Sequence, residues 1–314
     1  MIVSTAEEMN PSKRSTMEDC HVVHEQGSWG CKDDHMSCVG VYDGHGGRDM
    51  VDFLEEALVP NIAQELNYKD PTLTEHDNDI LIRLERAFLL TDIQSRMAGL
   101  VTSGATVAIC LIKKKPKSNK ITIYAANVGD ARAVLSSTSS ASVGGKSSSS
   151  SIGAVRLTHD HRADDPEEIS RIESTGGFVL RNRVLGILAV ARSLGDHGMK
   201  EYVIGKPHLS TTEVILPTTT VTIDDGVMDT EHNTENICML NKQFIIIACD
   251  GLWDVIMDQE AVDMVRKFVE STSKNKRGKE QHQRIIGEGA AQLLVNEALK
   301  RGSTDNITVV VSWL

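Results

Sequence analysis

The chain has 314 residues, of which 33 are Lys or Arg and 44 are Asp or Glu, and this gives a formal net charge of −11. Hydrophobic residues make up 40% and charged residues 25%, and this globular composition excludes a fibre or a wholly disordered chain. The acidic balance disfavours a general nucleic-acid binder, because Lys and Arg supply most of the affinity for phosphate backbones.

Short runs rich in Val and Ile predict strands. In chain order these runs cover residues 37–42, 105–112, 121–128, 131–135, 154–157, 243–248 and 307–313. Helical spacing predicts a helix over 80–97, another that starts at Asp165-Pro166, and a third over 281–301. Because strands come in adjacent pairs and helices come in blocks, the pattern favours antiparallel sheets with helices outside them over a doubly wound parallel sheet.

Two insertions and one basic segment interrupt these elements. Residues 136–151 contain ten serines and lie between two predicted strands, so we expect a flexible hairpin tip. Residues 223–236 carry five acids and no Lys or Arg, which predicts a mobile loop. Residues 113–120 are rich in Lys but join two strands, and we interpret them as a solvated turn.

The sequence shows no sign of export or of membrane insertion. The longest apolar run, 244–249, is far shorter than the roughly 20 residues that span a bilayer, and residues 1–10 lack the apolar core of a signal peptide. Two of the six cysteines, Cys110 and Cys249, lie in apolar strand-like runs, as buried free thiols do. We expect a cytoplasmic or nuclear protein in a reducing compartment, with no membrane and no nucleic-acid partner.

Acidic residues recur where the predicted strands end. They are Asp43, Asp130, Asp250, Asp254 and Asp305, together with Glu18 and Asp19 near the start. A single Asp-Gly after a strand is usually a turn, but carboxylates gathered at one end of a sheet repel each other unless cations lie between them. All-oxygen ligands favour Mg²⁺ or Mn²⁺. Spacing alone leaves a metal site and a set of solvated loops equally open.

Two other metal sites are disfavoured. A zinc site could be built from Cys20, His21, His24, Cys31, His35 and Cys38, but this spacing lacks a paired Cys-x-x-Cys. His159 and His161 alternate on a strand-to-helix turn, where we expect their side chains to point apart. We therefore expect a structural or substrate-side role for these two histidines.

Seven motifs between residues 14 and 308 occur in the order found in one enzyme family. They are Arg14-Ser-Thr-Met-Glu18-Asp19, Val41-Tyr-Asp-Gly-His-Gly-Gly47, Ser103-Gly-Ala-Thr106, Ala126-Asn-Val-Gly-Asp-Ala-Arg-Ala-Val134, Leu188-Ala-Val-Ala-Arg-Ser-Leu-Gly-Asp196, Ala248-Cys-Asp-Gly-Leu-Trp-Asp254 and Thr304-Asp-Asn-Ile-Thr308. The ordered set resembles that of the metal-dependent serine/threonine protein phosphatases of type 2C. Leu185, which lies just before the fifth motif, departs from the family pattern, because the family commonly has Asn there.

The resemblance implies an α+β fold, a four-layer α-β-β-α sandwich of two antiparallel β-sheets flanked by helix pairs. It also implies one catalytic domain over residues 1–314, with a flap at about 159–186 that borders the substrate cleft. On the same ground we expect a monomer that acts on phosphoserine and phosphothreonine proteins.

The resemblance also implies the site residues and two bound ions, Mn²⁺ or Mg²⁺. Asp43 would bridge the ions, Asp250 and Asp305 would complete one ion's ligands, and Glu18 and the Gly44 carbonyl would hold the other ion. Asp19 would hold a metal-bound water, and Asp130 and Asp254 would bind a weaker third ion together with Asp250. Arg14 would bind the substrate phosphate, and His45 would be the general acid.

The implied reaction is direct attack of a metal-bridging hydroxide on phosphorus, without a phosphoenzyme. Elementary chemistry agrees with these roles, because paired cations lower the pKa of a shared water and an arginine can bind two phosphoryl oxygens at once. An inactive relative that only binds partners is the main alternative. It is disfavoured because Glu18, Asp43, Asp250 and Asp305 are all present. The net charge disfavours a metal-dependent nuclease.

Overall fold

The computed structural model describes residues 1–68, 74, 79–115, 118–138, 152–216, 243–273 and 279–314. The predicted mobile loop at 223–236 and most of the serine-rich insertion lie outside these residues. Residues 136–138 belong to a strand, which corrects the predicted start of that insertion. None of the helices in the described ranges is long and apolar enough to cross a membrane.

The described residues form eleven strands and six α-helices. The strands are β1 (Ile2–Glu8), β2 (Asp19–His24), β3 (Met36–His45), β4 (Gly104–Lys114), β5 (Lys120–Val128), β6 (Arg132–Thr138), β7 (Ile152–Arg156), β8 (Leu194–Gly195), β9 (His208–Ile215), β10 (Phe244–Ala248) and β11 (Ile307–Trp313). The helices are α1 (Asp49–Asn67), α2 (Ile80–Met97), α3 (Pro166–Ser174), α4 (Asp250–Trp253), α5 (Asp258–Ser273) and α6 (Lys279–Lys300).

The strands form two antiparallel sheets. The first has the order β1-β11-β10-β6-β7, and the second has the order β2-β3-β4-β5-β9 with the short β8 beside β4. Short connections join β2 to β3 and β4 to β5, while β11 inserts between β1 and β10. The predicted preference for antiparallel sheets is confirmed.

Three apolar cores separate four layers. One core lies between the second sheet and the α1–α2 pair, one lies between the two sheets, and one lies between the first sheet and the α5–α6 pair. Strand β3 shows how the sequence builds this arrangement, because side chains alternate across a strand. Cys38 and Tyr42 face the helices, whereas Val39 and Val41 face the other sheet. The predicted four-layer sandwich is confirmed.

Capping residues explain two of the predicted helix starts. The Asp79 carboxylate accepts a hydrogen bond from the Leu81 amide at the start of α2, and Asp165 does the same for Glu167 at the start of α3. Helix α1 was missed because Pro60 lies inside it, although Leu54, Leu58 and other apolar residues form a buried face. The sequence pattern also did not predict helices α4 and α5 or strands β1, β2, β8 and β9.

Candidate metal centre

The strand pairing gathers the acidic residues at one end of the sandwich. Asp43 lies near the end of β3, and Asp19 faces it across the β2–β3 ladder. Asp250 follows β10, and Asp305 precedes β11, the strand paired with β10. Because antiparallel neighbours alternate in direction, an acid after β10 and an acid before β11 come to the same edge. Each sheet therefore contributes carboxylates to one site.

Three of these acids meet directly. One carboxylate oxygen from each of Asp43, Asp130 and Asp250 lies within 4.8 Å of the other two, and this is the only such group of metal-ligating side chains in the described part of the chain. Asp130 follows β5, so its strand belongs to the second sheet. Glu18 and Asp305, which were also predicted as ligands, lie outside this triad.

Burial and mutual repulsion raise the pKa of these carboxyl groups above their ordinary values. Burial raises the pKa of Asp43 well above its usual range, and the charges of Asp19 and Asp250 raise it further. Asp250 behaves in the same way. Burial raises the pKa of Asp130 to about 6 and that of Asp19 to about 6. A cation among these acids would reverse this effect, because it favours the ionised carboxylates.

Asn306 ties the two peripheral acidic residues together. The Asn306 side chain accepts a hydrogen bond from the Glu18 amide at 2.9 Å and donates to the Thr16 carbonyl at 3.0 Å. The Asp305 carboxylate in turn accepts a hydrogen bond from the Asn306 amide at 2.7 Å. Asn306 therefore holds the loop before β2 against the loop before β11. Asn306 lies in the motif Thr304-Asp-Asn-Ile-Thr308, but its place in the sequence alone indicates no role for it.

Gly44 allows the backbone to come close to Glu18. A Cβ atom at Gly44 would lie 2.5 Å from the Glu18 carbonyl oxygen and 2.7 Å from Cγ2 of Val51, so any larger residue would push β3 away from the loop before β2. The Gly47 amide donates to the Glu18 carboxylate at 3.2 Å and fixes its direction.

Arg14 lies at the rim of the acidic cluster. Its guanidinium forms an ion pair with Asp305, and its Nε donates to the Thr304 carbonyl at 3.3 Å. The side chain is 48% exposed, so it remains accessible from solvent. The structure therefore places the predicted phosphate-binding arginine next to a predicted metal ligand.

His45 is held by an aspartate that the sequence analysis left without a role. Nε2 of His45 lies 2.7 Å from the Asp196 carboxylate, which also accepts a hydrogen bond from the Ser193 hydroxyl. A Cβ atom at Gly104 would lie 2.0 Å from this carboxylate and 2.4 Å from the His45 ring, so only glycine leaves room for the pair. The presence of Asp196 in a quoted motif was the one signal that could have found it.

Asp254 stands apart from the triad. Its side chain is 53% exposed and pairs with Arg162, whose Nη1 lies 3.0 Å from Asp254 and 3.6 Å from Asp130. Arg162 could not be identified from the sequence, because nothing in the local pattern links this residue to acids so distant along the chain.

The alternative zinc residues do not form a site. Cys20, Cys31 and Cys38 are buried free thiols, and the Cys20 thiol donates to Glu55. No zinc group is present among the described residues, whose one candidate metal group is the aspartate triad. All five cysteines in the described ranges are free and buried, as expected for the two in apolar runs.

His159 and His161 do not point apart as expected. Their ring centroids lie 5.5 Å apart, edge to face. His159 pairs with Asp165 at 2.7 Å, whereas Nδ1 of the buried His161 lies 3.2 Å from the Gly129 carbonyl. The two rings therefore support the turn into α3 through separate hydrogen-bond partners.

Comparisons with known proteins agree with this geometry. The sequence model of the family described as protein phosphatase 2C matches residues 4–307. The chain is 31% identical to protein phosphatase 2C homolog 1 of Saccharomyces cerevisiae, over 99% of this chain and 93% of that protein. It is 33% identical to protein phosphatase 2C homolog 1 of Schizosaccharomyces pombe, over 97% of this chain and 71% of that protein.

A solved structure shares the fold. The serine-threonine phosphatase 2C from Toxoplasma gondii superposes with a TM-score of 0.66 at 20% identity, over 99% of this chain and 94% of that one. The chain belongs to the protein phosphatase 2C family. It is a serine/threonine protein phosphatase, as the motif order implied.

The raised pKa values predict how pH affects stability when no metal is bound. Between about pH 4 and pH 6 the folded chain keeps protons on Asp19 and Asp130 that the unfolded chain has lost, so stability falls as pH rises through this range. Each unit of pKa shift corresponds to about 1.4 kcal/mol. We expect a Tm in excess chelator that is several degrees lower at pH 7.5 than at pH 5.

Two measurements check that result by calorimetry. Saturating Mn²⁺ should raise the Tm more at pH 7.5 than at pH 5, because ionised carboxylates bind the cation. In chelator, Asp19→Asn should lose part of the pH dependence, because the raised pKa values of Asp43, Asp130 and Asp250 account for the rest. A Tm that stays constant or rises between pH 5 and pH 7.5 in chelator would contradict the assignment of these buried acids.

Proposed function

We propose that this chain is a Mg²⁺- or Mn²⁺-dependent phosphatase that transfers the phosphoryl group of phosphoserine and phosphothreonine proteins directly to water. One observation carries the proposal: carboxylate oxygens of Asp43, Asp130 and Asp250 come together within 4.8 Å at the buried end of two sheets. Like charges so close are stable only with protons or cations between them.

The residues of the site fit a pair of hard divalent cations. The candidate ligands are all oxygens, the donors that Mg²⁺ and Mn²⁺ prefer. Asp19 gives a second indication, because its buried Oδ2 atom has no hydrogen-bond partner among the described residues. Buried polar atoms are normally paired, so this oxygen is suited to a water that a metal ion would hold.

The proposed ligands divide into three sets. Asp43, Asp250 and Asp305 would hold one ion, Asp43, Glu18 and the Gly44 carbonyl would hold the other, and Asp130, Asp250 and Asp254 would hold a weaker third. When bound, such ions supply a water of lowered pKa and positive charge beside the phosphoryl oxygens. The chain itself orients the substrate and handles the proton of the leaving group.

Arg14 would orient the substrate. Its guanidinium can keep one nitrogen on Asp305 and offer another to a phosphoryl oxygen, because the fork presents several donors in one plane. This contact would form equally in the bound substrate and in the transition state. Arg14 is therefore proposed as a binding residue.

We expect Arg14→Ala to raise KM about 10- to 100-fold, since a charge-assisted hydrogen bond contributes about 1.5–3 kcal/mol, and to leave kcat within severalfold. Steady-state kinetics on a phosphothreonine peptide at saturating Mn²⁺ measure both constants. Arg14→Lys keeps the charge without the fork and should lie between wild type and Arg14→Ala. A loss confined to kcat would show that Arg14 acts on the transition state.

His45 would protonate the departing serine or threonine oxygen. The Asp196 carboxylate engages Nε2 and so leaves Nδ1 to give the proton. A serine alkoxide is strongly basic and leaves slowly without such a proton donor. Asp196 would act through His45, as a positioning residue.

The decisive test of the function is turnover of a phosphothreonine peptide. We expect activity with Mn²⁺ or Mg²⁺ and its loss in excess chelator, with recovery when the metal is returned. Activity that persists through exhaustive chelation would contradict the metal dependence. We further propose one catalytic domain over 1–314 that works as a cytoplasmic or nuclear monomer, which sedimentation and localisation of a tagged chain would test.

A further inference from the structure

The guanidinium of Arg162 lies between two of the acids proposed to hold a third cation, Asp130 and Asp254. Its Nη1 nitrogen is 3.0 Å from Oδ1 of Asp254 and 3.6 Å from Oδ2 of Asp130. These two acids, with Asp250, form the weaker third set of ligands proposed above. We propose that the Arg162 guanidinium occupies the third cation position in this protein, and that a third divalent ion binds there only by displacing it. This inference rests on the proposed function.

Geometry makes the two cations mutually exclusive. A divalent ion of this kind binds carboxylate oxygens at about 2.0–2.2 Å, the distance for Mg²⁺. The guanidinium already contacts oxygens of both Asp254 and Asp130, so an ion on those oxygens would meet a fixed positive charge at contact distance. Like charges at such a separation repel strongly. The ion can bind only if the arginine side chain moves away.

Arginine is suited to this role because its charge is permanent. The guanidinium stays protonated at every pH at which the protein folds, so it competes with the ion throughout. Asp130 is nearly fully buried, whereas the Arg162 side chain is 39% exposed and has solvent to move into. The competitor is also tethered, which gives it a high effective concentration at the acids.

The backbone at Arg162 is hydrogen-bonded to residues 189–190, which lie just after the predicted flap. Arg162 forms a β-bridge with Val190, and the Ala163 amide donates to the Ala189 carbonyl at 2.8 Å. This ladder fixes the Cα position from which the side chain reaches the acids. Displacement by an ion would therefore free a cationic side chain at the base of the flap without moving the backbone.

Mn²⁺ binding to the whole chain tests the proposal without relying on activity. Free Mn²⁺ is counted by electron paramagnetic resonance during titration of wild type, Arg162→Gln and Arg156→Gln. The last variant is a matched control, since Arg156 is similarly exposed but pairs with Asp258 at 2.9 Å and Asp160 at 3.3 Å. Arg162→Gln and Arg156→Gln each remove one positive charge. Only Arg162→Gln removes it next to the acids proposed for the third ion.

We expect the dissociation constant of the weakest Mn²⁺ to fall about tenfold or more in Arg162→Gln, within the usual range for coupling between two ligands. The tighter ions should bind as in wild type, and Arg156→Gln should match wild type within about twofold. Arg162→Lys, which keeps the charge but presents a single ammonium, should bind the weakest ion with intermediate affinity and serves as the readout if Arg162→Gln fails to fold.

The outcomes separate this inference from the proposed function. If the tighter ions bind and the weakest is unchanged in both Arg162 variants, the inference is overturned while the metal centre stands. An equal gain in Arg156→Gln would also overturn it, because the effect would then be one of net charge. If wild type binds no Mn²⁺ tightly, the proposed metal centre and this inference both fail.

Discussion

Asp43→Asn should lower kcat on a phosphothreonine peptide by more than about 10³-fold at saturating Mn²⁺. Asp43 is the one acid proposed to contact both ions, so its loss weakens the charge stabilisation and the activated water together. Asparagine keeps the shape of the side chain within β3. Steady-state kinetics and a Mn²⁺ titration measure the effect, and fewer tightly bound ions should accompany the lost turnover.

The stability of the same variant separates chemistry from folding. In chelator, Asp43→Asn should melt at or above the wild-type temperature, because one of several repelling buried carboxyls is gone. Asp33→Asn is the control, since Asp33 lies before the opposite end of β3 and pairs with Lys113 at 2.6 Å. That variant should keep its activity. Comparable turnover in Asp43→Asn would refute the two-ion assignment.

His45→Gln should slow hydrolysis of a phosphothreonine peptide about 10²- to 10⁴-fold, the range found when a general acid is removed. Hydrolysis of p-nitrophenyl phosphate should fall far less, because p-nitrophenolate is a weak base and departs without a proton. The comparison uses kcat for both substrates at saturating Mn²⁺, under conditions where chemistry limits both reactions.

A purely structural role for His45 predicts a different result. If the ring only fixes the loop through Asp196, metal affinity drops and both substrates slow by the same factor. Equal losses at saturating metal would therefore defeat the general-acid role. His24→Gln is the control, because His24 lies at the other end of β2 from the acids, and it should affect neither substrate.

Strands and the acids after them could be predicted because both signals are local. The apolar run of β10 ends at Ala248, and Asp250 follows it within two residues. Asp43 likewise directly follows the apolar residues Val41 and Tyr42, although β3 continues to His45. Once strands are placed and paired, an acid at a strand end has a defined position at the sheet edge. The order of the motifs then implied, through the family resemblance, that these acids lie at one end of the sandwich.

Partnerships between distant segments could not be predicted in this way. The contact between His45 and Asp196 depends on the chain passing Gly104, and the contact between Arg162 and Asp254 depends on where α4 ends. No periodicity or spacing encodes either pair. Such contacts follow from tertiary packing, which local patterns do not determine.

The turn at Leu185 has a backbone conformation that leucine rarely adopts. Leu185 has a φ of 51°, in the left-handed region that asparagine and glycine tolerate better than leucine. The resemblance to the family implies Asn at this position, a residue that suits this conformation.

The position of β11 has a consequence for synthesis of the protein. Although β11 is the last strand of this chain, it lies inside its sheet between β1 and β10, and Asp305 directly precedes it. During translation the early strands leave the ribosome long before this central strand exists. Until β11 is inserted, the first sheet lacks an internal strand and the acidic edge lacks Asp305. With the proposed ligands, phosphatase activity would require β11 to be inserted, since Asp305 reaches the acidic edge only with that strand.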